Sequence, residues 1–144
     1  MVSSSEYDWT TERPNAYEVV TAYFPETATE ETDDWVKLRP CLIMNVNKGR
    51  TTGTIALKIA YGTRKLKFPS RGSIDLIIQN SKDLDDIGLP CATRFDLDNT
   101  VTLPWTHDYF GCWPNRVSPY IGSLTEFYIK EYAYRMMMRT KPGE

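Results

Sequence analysis

Leu38-Arg39-Pro40-Cys41-Leu42-Ile43-Met44-Asn45-Val46 is the stretch on which the fold turns. Its centre, Cys41 to Met44, is a short apolar run. A proline stands at its start, where a strand interior would not tolerate one, so Pro40 marks the beginning of a strand that runs to Val46. Asn47 to Gly53 is turn chemistry, with Asn47, Gly49 and Gly53. Thr54 to Tyr61 then sets Ile55, Leu57 and Ile59 on one face of a next strand. The two strands read as a hairpin.

Working outward from the hairpin, Glu18 to Phe24 is rich in β-branched and aromatic residues and predicts a first strand. Residues 1–17 read as a polar N-terminal arm outside the domain, which spans 18–140. Residues 25–37, with Glu26, Glu30, Glu31, Asp33 and Asp34, read as a solvated acidic loop. After Gly62, Lys65 to Phe68 is a strand fragment and Ser73 to Gln79 a further strand. Ser81 to Ile87 is a short helical turn capped by Ser81. Ala92 to Leu97 and Asn99 to Leu103 are two short strands around Asp98-Asn99. Residues 105–119 form an aromatic loop that packs over one end of the sheet. Ser123 and Glu126 have capping-box spacing and open a helix over 123–139. Its apolar face is Ile129, Tyr132, Ala133, Met136 and Met137. The fold class is therefore mainly β, a small barrel or sandwich with a C-terminal α-helix.

The 144 residues suit one domain with a single core. No stretch approaches the ~20 apolar residues of a membrane span. Met1 to Glu6 lacks the basic-then-apolar pattern of a secretory signal, so the expected location is the cytoplasm, with no membrane partner. Three widely spaced cysteines, Cys41, Cys91 and Cys112, fit neither a disulfide framework nor a zinc site. With a net charge of −2 the whole chain exerts no pull on nucleic acid, and such contact needs a local basic patch.

One histidine, His107, excludes paired-histidine nuclease and multi-histidine metal sites; it reads as a surface or packed histidine. The Gly-x-Ser-x-Gly elbow and the glycine-rich phosphate loops are missing from the sequence. Arginine, threonine, tyrosine and carboxylate chemistry remains. It suffices for RNA, which carries its own nucleophile in the 2′-hydroxyl. Such cleavage needs a base, a donor for the leaving oxygen and positive charge on the phosphate. An arginine fork supplies that charge at any working pH, and no metal or cofactor is required.

Three motifs in order carry a resemblance: Lys37-Leu38-Arg39-Pro40-Cys41-Leu42-Ile43, then Leu57-Lys58-Ile59-Ala60-Tyr61-Gly62-Thr63, then Ala92-Thr93-Arg94-Phe95-Asp96-Leu97. Over residues 18–139 the chain resembles a divergent branch of the PemK/MazF growth-inhibitor family, the toxins of toxin–antitoxin pairs. The resemblance implies an SH3-like small barrel, a homodimer, an antitoxin protein as partner and metal-independent endoribonuclease action on single-stranded RNA. It implies that Arg39 binds the scissile phosphate and that Thr63 hydrogen-bonds it. Arg64, Lys65, Arg94 and Asp96 would bind substrate. Each residue has a plainer reading: Arg39 paired with an acid, Thr63 as a turn residue, Arg94 and Asp96 as an ion pair on one strand face. A non-catalytic PemK-like binding module, taking a host protein, nucleic acid or nucleotide, is the second expectation. An assembly protein using the Met/Tyr face of the last helix is the third.

Overall fold

The computed structural model describes residues 7–23, 38–49, 53–66 and 75–139. In chain order the elements are β1 (Glu18–Tyr23), β2 (Leu38–Lys48), β3 (Ile55–Thr63), β4 (Leu76–Ile78), α1 (Ser81–Ile87), β5 (Thr93–Pro104), β6 (Tyr120–Ser123) and α2 (Glu126–Arg139). The strands form one six-stranded sheet in the order β4-β5-β3-β2-β1-β6, antiparallel at every step. The fold is mainly β, a curled half-barrel with a C-terminal helix. The acidic segment 25–37, Phe24, residues 50–52, Lys67-Phe68 and Ser73-Ile74 lie outside the described residues. Lys65 and Leu66, expected in a strand, follow β3 as irregular chain.

The apolar run in β2 does not alternate because both faces of that strand are buried. Leu42 joins Val19, Ala60, Phe95, Tyr128 and Tyr132 in one core cluster, beneath the helices. Cys41 and Ile43, its neighbours, point the other way and join Ala22, Leu57, Ile59, Trp105 and Phe110. Pro40 is the third residue of β2, and the β2–β3 register runs from Cys41↔Tyr61 to Lys48↔Ile55. The proline therefore stands just beyond that ladder, where its missing N–H leaves no gap.

Three register shifts bend the sheet, between Val19 and Val20, Ile43 and Asn45, and Ala60 and Gly62. Such irregularities increase local twist and curl a sheet. At the last, β3 advances two residues, Ala60 to Gly62, while β5 steps back five, Thr100 to Phe95. Four residues, Asp96 to Asn99, thus stand opposite one, Tyr61. The Asp96 carboxylate accepts from the Asp98 N–H at 3.2 Å and the Asn99 amide at 3.3 Å. What the sequence presents as two short strands is thus one 12-residue strand with a bulge pinned by Asp96.

Three further expectations are corrected. Residues 7–17 of the N-terminal arm pack on the domain: Trp9 is buried and meets Trp105 edge-on at 4.7 Å. Asn80, not Ser81, caps α1, its side chain accepting from Lys82 N–H and Asp83 N–H. Tyr120 to Ser123 is a strand, with Ser123 opposite Glu18, so Ser123 does not cap α2. The helix starts at Glu126, and Ile129 N–H donates to the Thr125 carbonyl. Its inward face is consequently Tyr128 and Tyr132, with Ile129 and Met136 half-buried; Ala133 and Met137 face outward.

The two sheet edges, β4 and β6, are joined through α1. A β-carbon on Gly122 of β6 would lie 1.7 Å from the Ile87 carbonyl oxygen at the end of α1. Gly88, at φ +99°, ends the helix in the left-handed region and brings its own α-carbon against the Ile121 carbonyl. Backbone touches backbone here, and no side chain fits. Gly122→Ala is therefore expected to lower unfolding free energy by about 3 kcal/mol in urea titration. Gly53→Ala, where open space surrounds a φ of +72°, should cost about 1 kcal/mol. Equal losses at the two positions would remove the closure argument.

Candidate functional site

Arg39, near the start of β2, stands opposite Ala22 of β1. The β2–β3 ladder ends at Cys41↔Tyr61; carried on two residues past that end, its register would set Arg39 beside Thr63. Thr63 pairs with Arg94 of β5, and Arg94 with Ile77 of β4. Directly opposed residues share a face of the sheet. Arg39, Thr63 and Arg94 therefore form a transverse row, on the order of 10 Å from end to end at ordinary strand spacing. Arg64 and Lys65 follow Thr63 as the chain leaves β3, Arg64 half-buried and Lys65 exposed.

Arg39 is 2% exposed. Its carbonyl accepts the Cys41 S–H at 3.4 Å. Burial pushes the Cys41 thiol and the Tyr61 phenol up from their ordinary values, and the Arg39 charge opposes both shifts. Tyr61 is therefore a neutral phenol, and its O–H donates to the Tyr23 carbonyl at 2.8 Å. Its single O–H is used in that bond, and it supplies no base. Thr63 accepts the Lys65 N–H at its Oγ1, 3.1 Å away, which closes the turn out of β3.

Arg94 is fixed by a buried carboxylate that sequence reasoning did not single out. Its Nη1 lies 2.7 Å from Asp75 Oδ2, with the two side chains 6% and 0% exposed. Its Nε donates to the Lys65 carbonyl at 2.8 Å. Asp75 also accepts from Leu97 N–H at 3.3 Å and from Arg139 Nη2 at 3.3 Å. Arg139 in turn holds Asp98 through Nε at 2.6 Å. Asp75 thus ties the start of β4, the middle of β5 and the end of α2 together. The ion pair expected between Arg94 and Asp96 is corrected accordingly: Arg94 pairs with Asp75, and Asp96 spends its carboxylate on the bulge. An acid preceding the apolar Leu76-Ile77-Ile78 was the available signal, since a buried charge requires partners.

His107 lies at the other end of β3. Trp105 N–H donates to the Ile55 carbonyl, and Ile55 to Thr63 spans ~26 Å at the usual strand rise. The exposed His107 ring sits 4.5 Å from that of Trp9, its Nε2 3.3 Å from Asp8 Oδ1. Hydrogen bonds from the Thr10 hydroxyl and amide hold the Asp8 carboxyl below its usual value, with His107 adding to them. A cavity of about 320 Å³ opens beside it, lined in part by Thr10, Thr54, Trp105 and His107. The histidine cannot serve chemistry at the row.

The aromatic segment 105–119 covers the sheet as expected. Phe110 bridges to Ala22 and is buried with Trp105, while Tyr109 remains exposed. Tyr23 N–H donates to the Tyr109 carbonyl, and Thr21 N–H to that of Pro119. The buried Thr21 hydroxyl donates to the Gly111 carbonyl. Among the described residues, no three His, Cys, Asp or Glu side chains gather as a metal site would require. The three cysteines are free thiols.

Compared with protein-family models and with characterised proteins, the sequence matches none.

Among the described residues, the row and its chain neighbours supply the cations Arg39, Arg64, Lys65 and Arg94 and the carboxylates Asp75 and Asp96, Asp75 being wholly buried. Both flanking arginines are buried, Arg39 at 2% and Arg94 at 5% exposure, and among the described residues no metal ligand set stands beside them. The Asp75 hub makes a sharp demand. Asp75→Asn should lower stability by about 3 kcal/mol in urea titration, since it leaves buried Arg94 without its counter-charge. Asp96→Asn should cost under about 1 kcal/mol. Similar losses at both positions would mean that Asp75 is not the hub.

Proposed function

We propose that this chain is a PemK/MazF-like growth inhibitor on an SH3-like barrel, acting on single-stranded RNA at the Arg39–Thr63–Arg94 row. One observation carries the reading. Arg39 and Thr63, far apart in sequence, come from the adjoining ends of the neighbouring strands β2 and β3, and Arg94 of β5 pairs with Thr63. Two guanidinium groups flanking a hydroxyl suit a phosphodiester, because arginine binds phosphate oxygens with a planar fork and stays charged.

In this reading the RNA 2′-oxygen attacks the adjacent phosphorus while its proton passes to a base. The bond to the 5′-oxygen breaks, and that oxygen takes up a proton. The products are a 2′,3′-cyclic phosphate and a free 5′-hydroxyl. Arg39 stabilises the charge that builds on the phosphate, and Thr63 donates its O–H to the same group. Arg94, held by Asp75, adds fixed positive charge; Arg64 and Lys65 draw in the flanking backbone. Asp96 is the carboxylate nearest in sequence for proton transfer. A cytoplasmic location, a homodimer and an antitoxin protein as partner belong to the same reading.

The burial of Arg39 and the Asp75–Arg94 pair favour a second reading, a non-catalytic binding module in which the row is part of the architecture and contacts are made elsewhere on the barrel. Incubation of the purified protein with single-stranded RNA in excess chelator separates the two. The nuclease reading expects cleavage that falls about a hundredfold in Arg39→Ala, partial recovery in Arg39→Lys, and no change in His107→Ala. Circular dichroism on each variant checks that the buried substitution has not unfolded the chain. Intact RNA, or cleavage by a folded Arg39→Ala at the wild-type rate, removes the nuclease.

A further inference from the structure

Asp75 divides its two oxygens between two arginines. Oδ2 takes Arg94 Nη1 at 2.7 Å, while Oδ1 takes the Leu97 N–H and Arg139 Nη2, each at 3.3 Å. A carboxylate and a guanidinium left to themselves close a fork of two parallel hydrogen bonds. Here the second oxygen is occupied from the other side, and Arg94 Nε is turned to the Lys65 carbonyl at 2.8 Å. A carboxylate shared in this way neutralises each guanidinium less than one held outright.

Arg139 is well placed to keep its share. It is the last residue of α2, and its side chain is largely buried. Its Nε and Nη2 grip Asp98 at 2.6 and 3.2 Å, and its Nη1 donates to the Arg135 carbonyl at 3.1 Å. Asp98 belongs to the β5 bulge, and the shift across that bulge sets Arg94 opposite Thr63. One side chain at the end of the helix therefore holds both the bulge that places Arg94 and the carboxylate that pairs with it. Within the buried cluster, Arg94 and Arg139 face the single carboxylate of Asp75. Asp98 is 38% exposed, where water and salt screen its charge.

We propose that Arg139 is a positioning residue for the row: by holding Oδ1 of Asp75 it keeps that carboxylate from closing a fork on Arg94, and so sets the place and the effective charge of Arg94 beside Thr63. Release of the last turn of α2 lets Asp75 turn fully to Arg94, draws the guanidinium toward β4 and weakens the hold of the row on a phosphodiester. The end of the helix thereby regulates the site. The effect on RNA rests on the RNA reading above; the link from Arg139 to Arg94 does not.

Two measurements on the full chain test it: the Nε–H resonance of Arg94 in the labelled protein, and anisotropy of a short fluorescent single-stranded RNA in excess chelator. Arg139→Gln is expected to move the Arg94 resonance and to weaken RNA binding about fivefold, an effect of the size seen for residues that act through another. Arg139→Lys, which keeps the charge and loses the planar fork, recovers part of the binding. Arg135→Gln removes the same charge one turn earlier, from a side chain whose Nη2 lies 3.4 Å from Glu131, and changes neither readout. Tyr128→Phe frees the other end of α2 from Asp83, now held at 2.7 Å, and changes neither. A protein that binds no RNA while Arg139→Gln still moves the Arg94 resonance removes the RNA reading and upholds the link. An Arg94 resonance unmoved in a folded Arg139→Gln overturns the proposal. So does measurable RNA binding that Arg139→Gln leaves unchanged, or an equal effect of Arg135→Gln, which would reduce the result to overall charge.

Discussion

The contact between the Ile87 carbonyl and the α-carbon of Gly122 is the constraint on which the rest of the structure depends. It joins the end of α1, which follows the edge strand β4, to β6, the strand at the other edge. A six-stranded antiparallel sheet left open would expose the face that holds Leu42, Ala60 and Phe95. Drawn together at this point, the edges enclose Ile87, Ile121, Leu76, Ile78 and Val19 in one cluster. β6 leads into α2 within two residues, so the same contact sets where the helix lies, which side it buries and which side it shows.

A second constraint governs the charged side chains. Burying an ionised arginine is costly unless a partner and further hydrogen bonds accompany it. Asp75 meets that demand for Arg94 and, through Arg139, anchors the last turn of α2. The row across β2, β3 and β5 is therefore held by packing and by charge together. Pre-organised charge of this kind serves phosphate recognition well, because donors already in position need no rearrangement when the substrate's charge develops. The same rigidity serves stability, and mutation of Asp75 and of Arg39 separates the two roles.

Some of this was legible in the sequence, for physical reasons. The run from Cys41 to Met44, behind its proline, announced a strand, and the structure buries that strand between apolar neighbours on each side. The turn residues at 47–53 and the alternation of Ile55, Leu57 and Ile59 announced its partner. β6 was hidden because Tyr120-Ile121-Gly122-Ser123 is four residues long and includes a glycine, which strand patterns disfavour. Missing it moved the apparent cap of α2 to Ser123 and rotated the expected apolar face toward Met137. Trp9 was hidden by the polar residues around it. Of the candidate site, Arg39, Thr63 and Arg94 were named from sequence, but their alignment depends on strand register, which local patterns do not encode. Asp75 was missed because its meaning lies wholly in distant partners, Arg94 and Arg139.

The central claim is that RNA meets this protein at the arginine–threonine row. Backbone amide shifts of the labelled protein, followed as a short single-stranded RNA is added in chelator, test it most directly. The account predicts changes centred on Arg39, Gly62, Thr63, Lys65 and Arg94, with Trp105 to His107 at the far end of β3 unmoved. Changes gathered at that far end or along α2, or none at all, would contradict it.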